Sequence, residues 1–419
     1  MNAASTLAKP AAANADPLAY FGDMIDHCYD YAEAARKHGR PIVGIMCEFT
    51  PREILLAAGA VPVCLCGGSA ETIAAAEQFL PANVCPLIKS TFGYHVKGSN
   101  PFLKRADLVV GETTCDGKKK MFELLGEAYP MHVLELPQKP DDPDSFERWV
   151  KELVKFKVVL EERFKVQITD AKLREAIRLM NRERGLRRQL AGLMAADPPP
   201  LTGRQLIEFR SIISGIEADL AQYARALEIY GAEVVARASV PASGAEMDGA
   251  GRSAGGSPNL GGDSRPRGGQ VRVLLTGVPL VHGAERVLEL IESCGAVVVC
   301  MENCTGLKPL LEDVDTNAPD PIRALAAKYY HLPCSVMTPN QGRFSSLRQL
   351  AAEFRPQCLI ELIWQACLTY DIESCQVRKL AEEDLRLPYL KITTDYSPSD
   401  SARITARVQA LVEMVQARA

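Results

Sequence analysis

The sequence has few of the features that mark nucleic-acid-binding or membrane proteins. Its 419 residues carry a formal net charge of −4, and no basic stripe with interleaved aromatic residues occurs, so we expect no nucleic-acid partner. No apolar run approaches the roughly 18 residues of a transmembrane helix, so we expect no membrane span. The Ala-rich N-terminus has neither a charged n-region nor an apolar core, so no signal peptide is predicted.

Paired metal-binding motifs are also missing, although cysteine itself is frequent. The chain has 13 cysteines, an odd number without a predicted export signal, so we expect reduced thiols in the cytoplasm rather than disulfides. Neither the Cys-x2-Cys pairs typical of structural zinc nor a ferredoxin-type cysteine run is present. The segment 111–118 resembles a phosphate-binding loop. Its glycines are six apart rather than five, and Lys119 stands where Ser or Thr would bind magnesium, so we predict no nucleotide site.

The first half of the chain has an alternating β-α pattern. A chain of this length is expected to form two or three domains. Thr50, Pro51 and Glu53 have the spacing of a helix N-cap, first helical position and capping box, which predicts a helix ending near Gly59. Predicted strands in this half cover 42–46, 61–66, 106–111 and 131–136.

The second half repeats this order. Residues 295–300 match 59–64 in sequence order, and Ile360 lies seven residues before Cys367, as Leu108 lies seven before Cys115. We therefore predict an α/β protein of two Rossmann-like open parallel-sheet domains related by duplication, with additional helices between them. Predicted elements here are strands 271–276, 295–300, 359–363 and 389–392, and helices 284–293 and 401–417.

Helical and linker segments separate the two halves. Strong helical patterns cover 145–164, 170–194 and 202–230, and residues 239–270 are rich in Gly, Ser, Pro and Asp, which predicts a flexible linker. The predicted organisation is a disordered tail 1–17, an α/β domain 18–145, a helical segment 146–235, a flexible linker 236–270 and a second α/β domain 271–419.

Six cysteines form two sets of three, one in each half. Cys47 and Cys115 follow predicted strands one and three of the first half, and Cys304 and Cys367 follow predicted strands of the second. Ligands of open parallel sheets collect beyond the carboxyl ends of the strands, so these thiols are predicted at the binding edge. Each set is spaced at 30 residues or more, which favours iron–sulfur ligation by scattered thiolates at a domain interface. The six candidate ligands are Cys47, Cys85, Cys115, Cys304, Cys334 and Cys367.

Simpler roles remain open for these and neighbouring residues. Free cysteine is among the most buried residue types, and we expect the other seven cysteines to pack in the interior, with Cys66 beside Gly67 and Gly68 as the borderline case. Lys118 to Lys120 either offset the negative charge of a cluster or form a solvated basic turn.

Five segments around these cysteines resemble the 2-hydroxyacyl-CoA dehydratase and benzoyl-CoA reductase family, and within it the double-cubane-cluster proteins. The resemblance covers roughly residues 18–235 and 270–415. Cys334 is matched by position, and the other five candidate ligands are matched by motif. The segments are CEFTPRE (47–53), CPLIKS (85–90), TTCDGKKKM (113–121), ENCTG (302–306) and WQAC (364–367).

The resemblance implies two Rossmann-like domains per subunit, a homodimer and two 4Fe-4S cubanes joined by a bridging sulfide, an 8Fe-9S cluster on the six cysteines. It also implies an ATP-hydrolysing iron–sulfur activator as electron donor and a low-potential reduction of a small-molecule substrate. Two alternatives stay open: a 2-hydroxyacyl-CoA dehydratase subunit with one 4Fe-4S cluster, and a non-catalytic electron-storage or redox-sensing protein. Candidate proton donors near the ligands are His282, Glu48, Glu302 and Tyr370.

Overall fold

The computed structural model of this chain describes residues 16–238 and 269–418. Most of the predicted tail (residues 1–15) and most of the predicted linker (239–268) therefore lie outside the described residues. Two four-stranded sheets are present, and every strand pair in them is parallel. This confirms the predicted α/β fold with two Rossmann-like sheets.

The first lobe contains the sheet of order β2-β1-β3-β4. Its strands begin and end within about two residues of the predicted bounds. The strands are β1 (Ile42–Ile45), β2 (Val61–Cys64), β3 (Leu108–Glu112) and β4 (Met131–Leu134), and the helices are α1 (Pro17–Gly22), α2 (Met24–Lys37), α3 (Arg52–Ala57), α4 (Ile73–Ala76), α5 (Pro86–Lys97) and α6 (Asp116–Leu125).

The second lobe contains the sheet of order β6-β5-β7-β8, the same order counted from its own first strand. Its central strands are buried over their whole length. The strands are β5 (Val271–Gly277), β6 (Ala296–Glu302), β7 (Cys358–Trp364) and β8 (Tyr389–Thr394), and the helices are α11 (Arg286–Ser293), α12 (Pro321–Tyr330), α13 (Gln341–Phe354), α14 (Leu368–Lys379) and α15 (Ser401–Gln416).

Four helices stand between the lobes in sequence: α7 (Pro143–Phe164), α8 (Asp170–Gly192), α9 (Gly203–Glu208) and α10 (Glu217–Ala238). They bridge the lobes in space, because α8 contacts α3 and α12 contacts α7. The Arg184 guanidinium on α8 donates to Glu53 of the first lobe, and the Tyr329 hydroxyl of the second lobe donates to the same carboxylate. A buried ion pair thus joins both lobes to the helical segment.

Two local predictions were wrong. The capping box at Thr50 and Glu53 does not form: α3 has Pro51 at its N-cap position and no side-chain cap. The Thr50 hydroxyl instead donates to the buried carboxylate of Glu112. The helix predicted over 202–230 is broken into α9 and α10. No helix among residues 16–238 and 269–418 is long and apolar enough to cross a membrane.

The strand order creates a crevice in each sheet. The strand order reverses between β1 and β3 in the first lobe and between β5 and β7 in the second, because the connections from these neighbouring parallel strands lead to opposite sides of the sheet. Ligands of open α/β sheets bind at this point, outside the carboxyl ends of the strands. The lobes approach closely beside these ends, where a Cβ on Gly68 would lie 2.5 Å from the carbonyl oxygen of His282.

Candidate functional site

The three candidate cysteines of the first lobe lie at the carboxyl edge of its sheet. Cys47 is two residues beyond β1, and Cys115 is three residues beyond β3, so both flank the crevice. Cys85 is the N-cap residue of α5, with Pro86 at the first helical position. The free N–H groups of that first turn lie beside the Cys85 sulfur, and the backbone N–H groups of Leu87 and Ile88 stabilise its thiolate.

The second lobe presents its three cysteines in a similar way. Cys304 is two residues beyond β6, Cys367 is the N-cap residue of α14 and three residues beyond β7, and Cys334 lies in the loop between α12 and α13. Cys334 is buried, and Cys304 and Cys367 are partly exposed.

Electrostatic and hydrogen-bond interactions connect thiols across the two lobes. The thiols of Cys85 and Cys367 interact across the interface, which lowers the pKa of the Cys85 thiol and raises that of Cys367. Burial raises the pKa of Cys47 well above its ordinary value, and the thiols of Cys304 and Cys334 raise it further. The structure therefore brings these predicted ligands from both lobes to one interface.

Cys115 completes the connected group. Burial raises the pKa of its thiol, and Cys367 and Cys334 of the other lobe raise it further. No three Cys, His, Asp or Glu side chains within the described ranges are close enough together to hold one metal ion. The six thiols thus share an interface without forming a preassembled single-ion site.

Each lobe adds one lysine beside its thiols. Lys118 on α6 donates to the Met46 carbonyl oxygen at 2.8 Å. Burial alone would lower its pKa, but the Cys47 and Cys66 thiols hold it well above the ordinary value. Lys119 and Lys120 point outward and pair with Asp116 and Glu123, so only the first of the three lysines faces the site.

Lys308 is the lysine beside the thiols of the second lobe, in the segment that follows β6. Its side chain is buried, and its Nζ lies 3.1 Å from a carboxylate oxygen of Glu302 and donates to the Tyr370 hydroxyl at 2.9 Å. Burial alone would lower its pKa, but Glu302 and then the Cys304 thiol raise it. Lys308 was not predicted from the sequence. The signal that could have indicated it is its position four residues, about one helical turn, after Cys304.

Glu302 and Tyr370, two of the predicted proton donors, are thus buried beside the candidate ligands of the second lobe. Tyr396 is a further buried residue that the sequence did not reveal. Burial raises its pKa well above the ordinary value, and the nearby thiols of Cys85, Cys66 and Cys367 raise it further. An aromatic hydroxyl therefore stands beside ligands from both lobes.

The remaining cysteines divide into packing residues and cavity residues. Cys28, Cys300 and Cys358 are buried in the hydrophobic cores, as predicted, whereas Cys375 is exposed on α14. Cys294 is partly buried at the end of α11. Cys64, which was expected to pack, and Cys66 line a cavity of about 110 Å³ together with Cys304. Cys66 also donates to the Met46 carbonyl oxygen at 3.1 Å.

The same cavity contains the other two predicted proton donors. Glu48 forms a double hydrogen bond with Arg52, at 2.8 and 2.9 Å, and His282 is exposed at the cavity wall. The cavity lies between the helical segment and the two lobes, because residues of α8, α12 and the loop after β6 line it. Because Cys304 lines the cavity, the cavity lies directly beside the six candidate ligand thiols.

Comparisons with known proteins place the chain in a family. Residues 47–415 match the family model described as 2-hydroxyglutaryl-CoA dehydratase, D-component. The chain is 38% identical over 390 residues to YjiM of Escherichia coli (strain K12), which carries a provisional name as a dehydratase subunit, covering 91% of this chain and 93% of that protein. It is 22% identical over 412 residues to the (R)-phenyllactyl-CoA dehydratase beta subunit of Clostridium sporogenes (94% and 98% covered). It is 26% identical over 166 residues to one of the subunits of benzoyl-CoA reductase from Thauera aromatica (38% and 42% covered).

Proposed function

The chain belongs to the 2-hydroxyacyl-CoA dehydratase and benzoyl-CoA reductase family, and from this premise we propose that it is a low-potential reductase of small molecules. Its proposed cofactor is a double-cubane 8Fe-9S cluster held by six cysteines. The proposed ligands are Cys47, Cys85, Cys115, Cys304, Cys334 and Cys367.

One observation carries this proposal: each lobe contributes three thiols to the same interface, and they interact across it. Soft thiolate ligands suit iron–sulfur clusters. A dehydratase subunit with one cubane needs only three such ligands, so the second trio favours the larger cluster.

The cluster, when bound, would supply electrons at low potential to a substrate beside it. The chain's own residues would stabilise the negative charge of the cluster. Lys118 and Lys308 supply one cation from each lobe, and the first turns of α5 and α14 add backbone N–H donors at Cys85 and Cys367. Tyr370, bonded to Lys308, holds a proton within the same buried network.

An ATP-hydrolysing iron–sulfur activator is the proposed electron donor, and we propose a homodimer as the working assembly. Moving one electron from about −400 mV to about −700 mV requires roughly 7 kcal/mol. The chain has no complete phosphate-binding loop that could couple ATP to this step. The relatives named above as dehydratase or reductase subunits support a multi-component system.

Iron and acid-labile sulfide analysis of anaerobically purified chain tests the cofactor. We expect about eight iron atoms per chain, because six thiolates are available for two linked cubanes. About four would support the second candidate, a 2-hydroxyacyl-CoA dehydratase subunit, which the names of the relatives favour. Tightly bound zinc without iron would contradict both.

The Lys118→Met substitution tests the role of the buried cation. Removing a positive charge beside an anionic cluster disfavours its reduced form, so we expect the midpoint potential to fall by about 60 mV, a tenfold change for one electron. The measurement is a potentiometric titration of the iron–sulfur absorption. Lys120→Met is the matched control, since Lys120 pairs with Glu123 at the surface. Equal potentials in both variants would contradict the role of Lys118.

A further inference from the structure

We propose that the cavity bounded by Arg184, Lys328 and Cys304 binds a small anion of the carboxylate type. This inference rests on the proposed function, because it names the class of substrate that would bind beside the proposed cluster. The cavity has a volume of about 110 Å³. Space for several water molecules suffices for an anion of a few heavy atoms, whereas pockets for larger organic ligands reach roughly 300–1,000 Å³.

Charge at the cavity wall is strongly asymmetric. Five cationic side chains line it, against two carboxylates, Glu48 and Glu183. Glu53 and Glu285 pair with two of these cations from behind the wall, so an anion that enters meets a net positive charge of one, five minus four. The cations are Arg52, Arg184, Arg187, Arg210 and Lys328.

Four of these cations already have carboxylate partners, and one of the four is Arg184, which pairs with Glu53. Arg52 is bound by Glu48 through both terminal nitrogens, and Arg210 donates to Glu285. Arg187 lies 3.7 Å from Glu183. These pairs leave two groups that a ligand would engage: the ammonium of Lys328, and the Nε of Arg184, which the ion pair with Glu53 does not use.

Lys328 is the first of them. Its side chain is buried, its Nζ donates to the Pro309 carbonyl oxygen at 2.9 Å, and no carboxylate of the described residues lies within ion-pair distance of it. Burial, together with the neighbouring Arg184, lowers its pKa to about 8. A buried ammonium beside another cation favours an anionic partner, because the anion offsets both penalties.

Arg184 is the second. Its two terminal nitrogens donate to Glu53 at 2.9 Å and to Asn181 at 2.6 Å. Its Nε is buried and makes no hydrogen bond within the described part of the chain, and the nearest carboxylate oxygen, on Asp313, is 3.8 Å away. Buried donors are normally satisfied, so the unbonded Nε of an arginine that lines the cavity is a donor that a bound anion would satisfy. A carboxylate has two oxygens that can serve Nε of Arg184 and Nζ of Lys328.

A titration of ¹³C-acetate with the full chain tests this inference, and the broadening of the acetate NMR signal measures the equilibrium binding. We expect acetate to bind and nitrite to displace it, because both are small anions with two oxygen acceptors. Acetamide, which matches acetate in size without its charge, should not compete. Acetamide binding as tight as acetate, or displacement of acetate by acetyl-CoA at lower concentration, would overturn the proposal.

Variants locate the site. Lys328→Met should weaken acetate binding at least about tenfold, since it removes the cation and keeps most of the apolar stem. Lys328→Arg, which retains the charge, should bind within about threefold of the unchanged chain. Lys172→Met is the matched control, because Lys172 also donates to a backbone carbonyl, that of Gln167, but lies outside the cavity. Equal weakening in Lys328→Met and Lys172→Met would contradict the assignment.

The outcome separates this inference from the proposed function. Iron analysis reports on the six thiols, and acetate binding reports on the two cations, so either can fail alone. Should Lys328→Met not fold, the selectivity of the unchanged chain for acetate over acetamide, together with Lys328→Arg, still decides the question.

Discussion

Cys115→Ser is expected to retain less than about half of the iron of the unchanged chain, because a hydroxyl replaces one of the thiolates that iron–sulfur clusters require. Cys115 stands at the crevice, three residues beyond β3, and its pKa responds to Cys367 and Cys334 of the other lobe. A ligand in that position connects the two halves of a shared cluster. Iron, sulfide and the visible absorption spectrum of anaerobically prepared protein are the measurements.

Cys300→Ser is the matched control for this experiment. Cys300 is buried within β6, in the hydrophobic core, and only four residues before the proposed ligand Cys304. Serine there removes a packing thiol without removing a ligand, so iron content should stay close to that of the unchanged chain. Full iron in Cys115→Ser would exclude Cys115 as a ligand, and a large loss in Cys300→Ser would overturn the division of the cysteines into ligands and packing residues.

The strands and their order could be predicted because their signals are local. β1 and β7 are mostly apolar runs bounded by turn residues, with Glu361 the charged exception in β7, and Cys115 and Cys367 each stand three residues past the strand that they follow. The carboxyl edge of a parallel sheet then brings such residues together without any long-range information. This is why the crevice thiols were identified from the sequence.

The capping motif failed because a buried partner competed with the backbone. Thr50 has the residue type and spacing of an N-cap, but Glu112, at the end of a neighbouring strand, offers its hydroxyl a carboxylate in the interior. Glu53, read as the reciprocal capping residue, is instead the acceptor for Arg184 and Tyr329. Both partners are more than 100 residues away in sequence, so no local pattern could reveal them.

The two sets of three cysteines do not follow equivalent strands throughout. Cys304 follows β6, whose counterpart in the first lobe is β2, so its positional equivalent is Cys66 rather than Cys47. Cys47 follows β1, and the corresponding residue after β5 is Pro279. The two trios are therefore similar in number but not fully symmetric in position.

A buried charge network supports the second lobe beneath these ligands. The Arg343 side chain is fully buried and contacts three carboxylates: Glu302 at 3.4 Å, Glu361 at 3.0 Å, and Glu373. Burial alone would lower the pKa of the guanidinium, but the carboxylates hold it well above its ordinary value. Because Glu302 also contacts Lys308, this arginine fixes the carboxylate that positions a cation beside Cys304.

Arg343→Met is expected to destabilise the chain by about 3–5 kcal/mol, because it leaves buried carboxylates without their cation. For a lobe of this size the apparent midpoint of thermal unfolding should fall on the order of 10 °C. Circular dichroism during heating, and urea titration for the free energy of unfolding, are the measurements.

Arg348→Met is the matched control: Arg348 lies on the same helix and pairs with Asp384, but both side chains are about half exposed, so the expected loss is about 0–1 kcal/mol. Equal losses in the two variants would show that the buried carboxylates are accommodated without Arg343, by protonation or by water, and that Lys308 alone holds Glu302 in place.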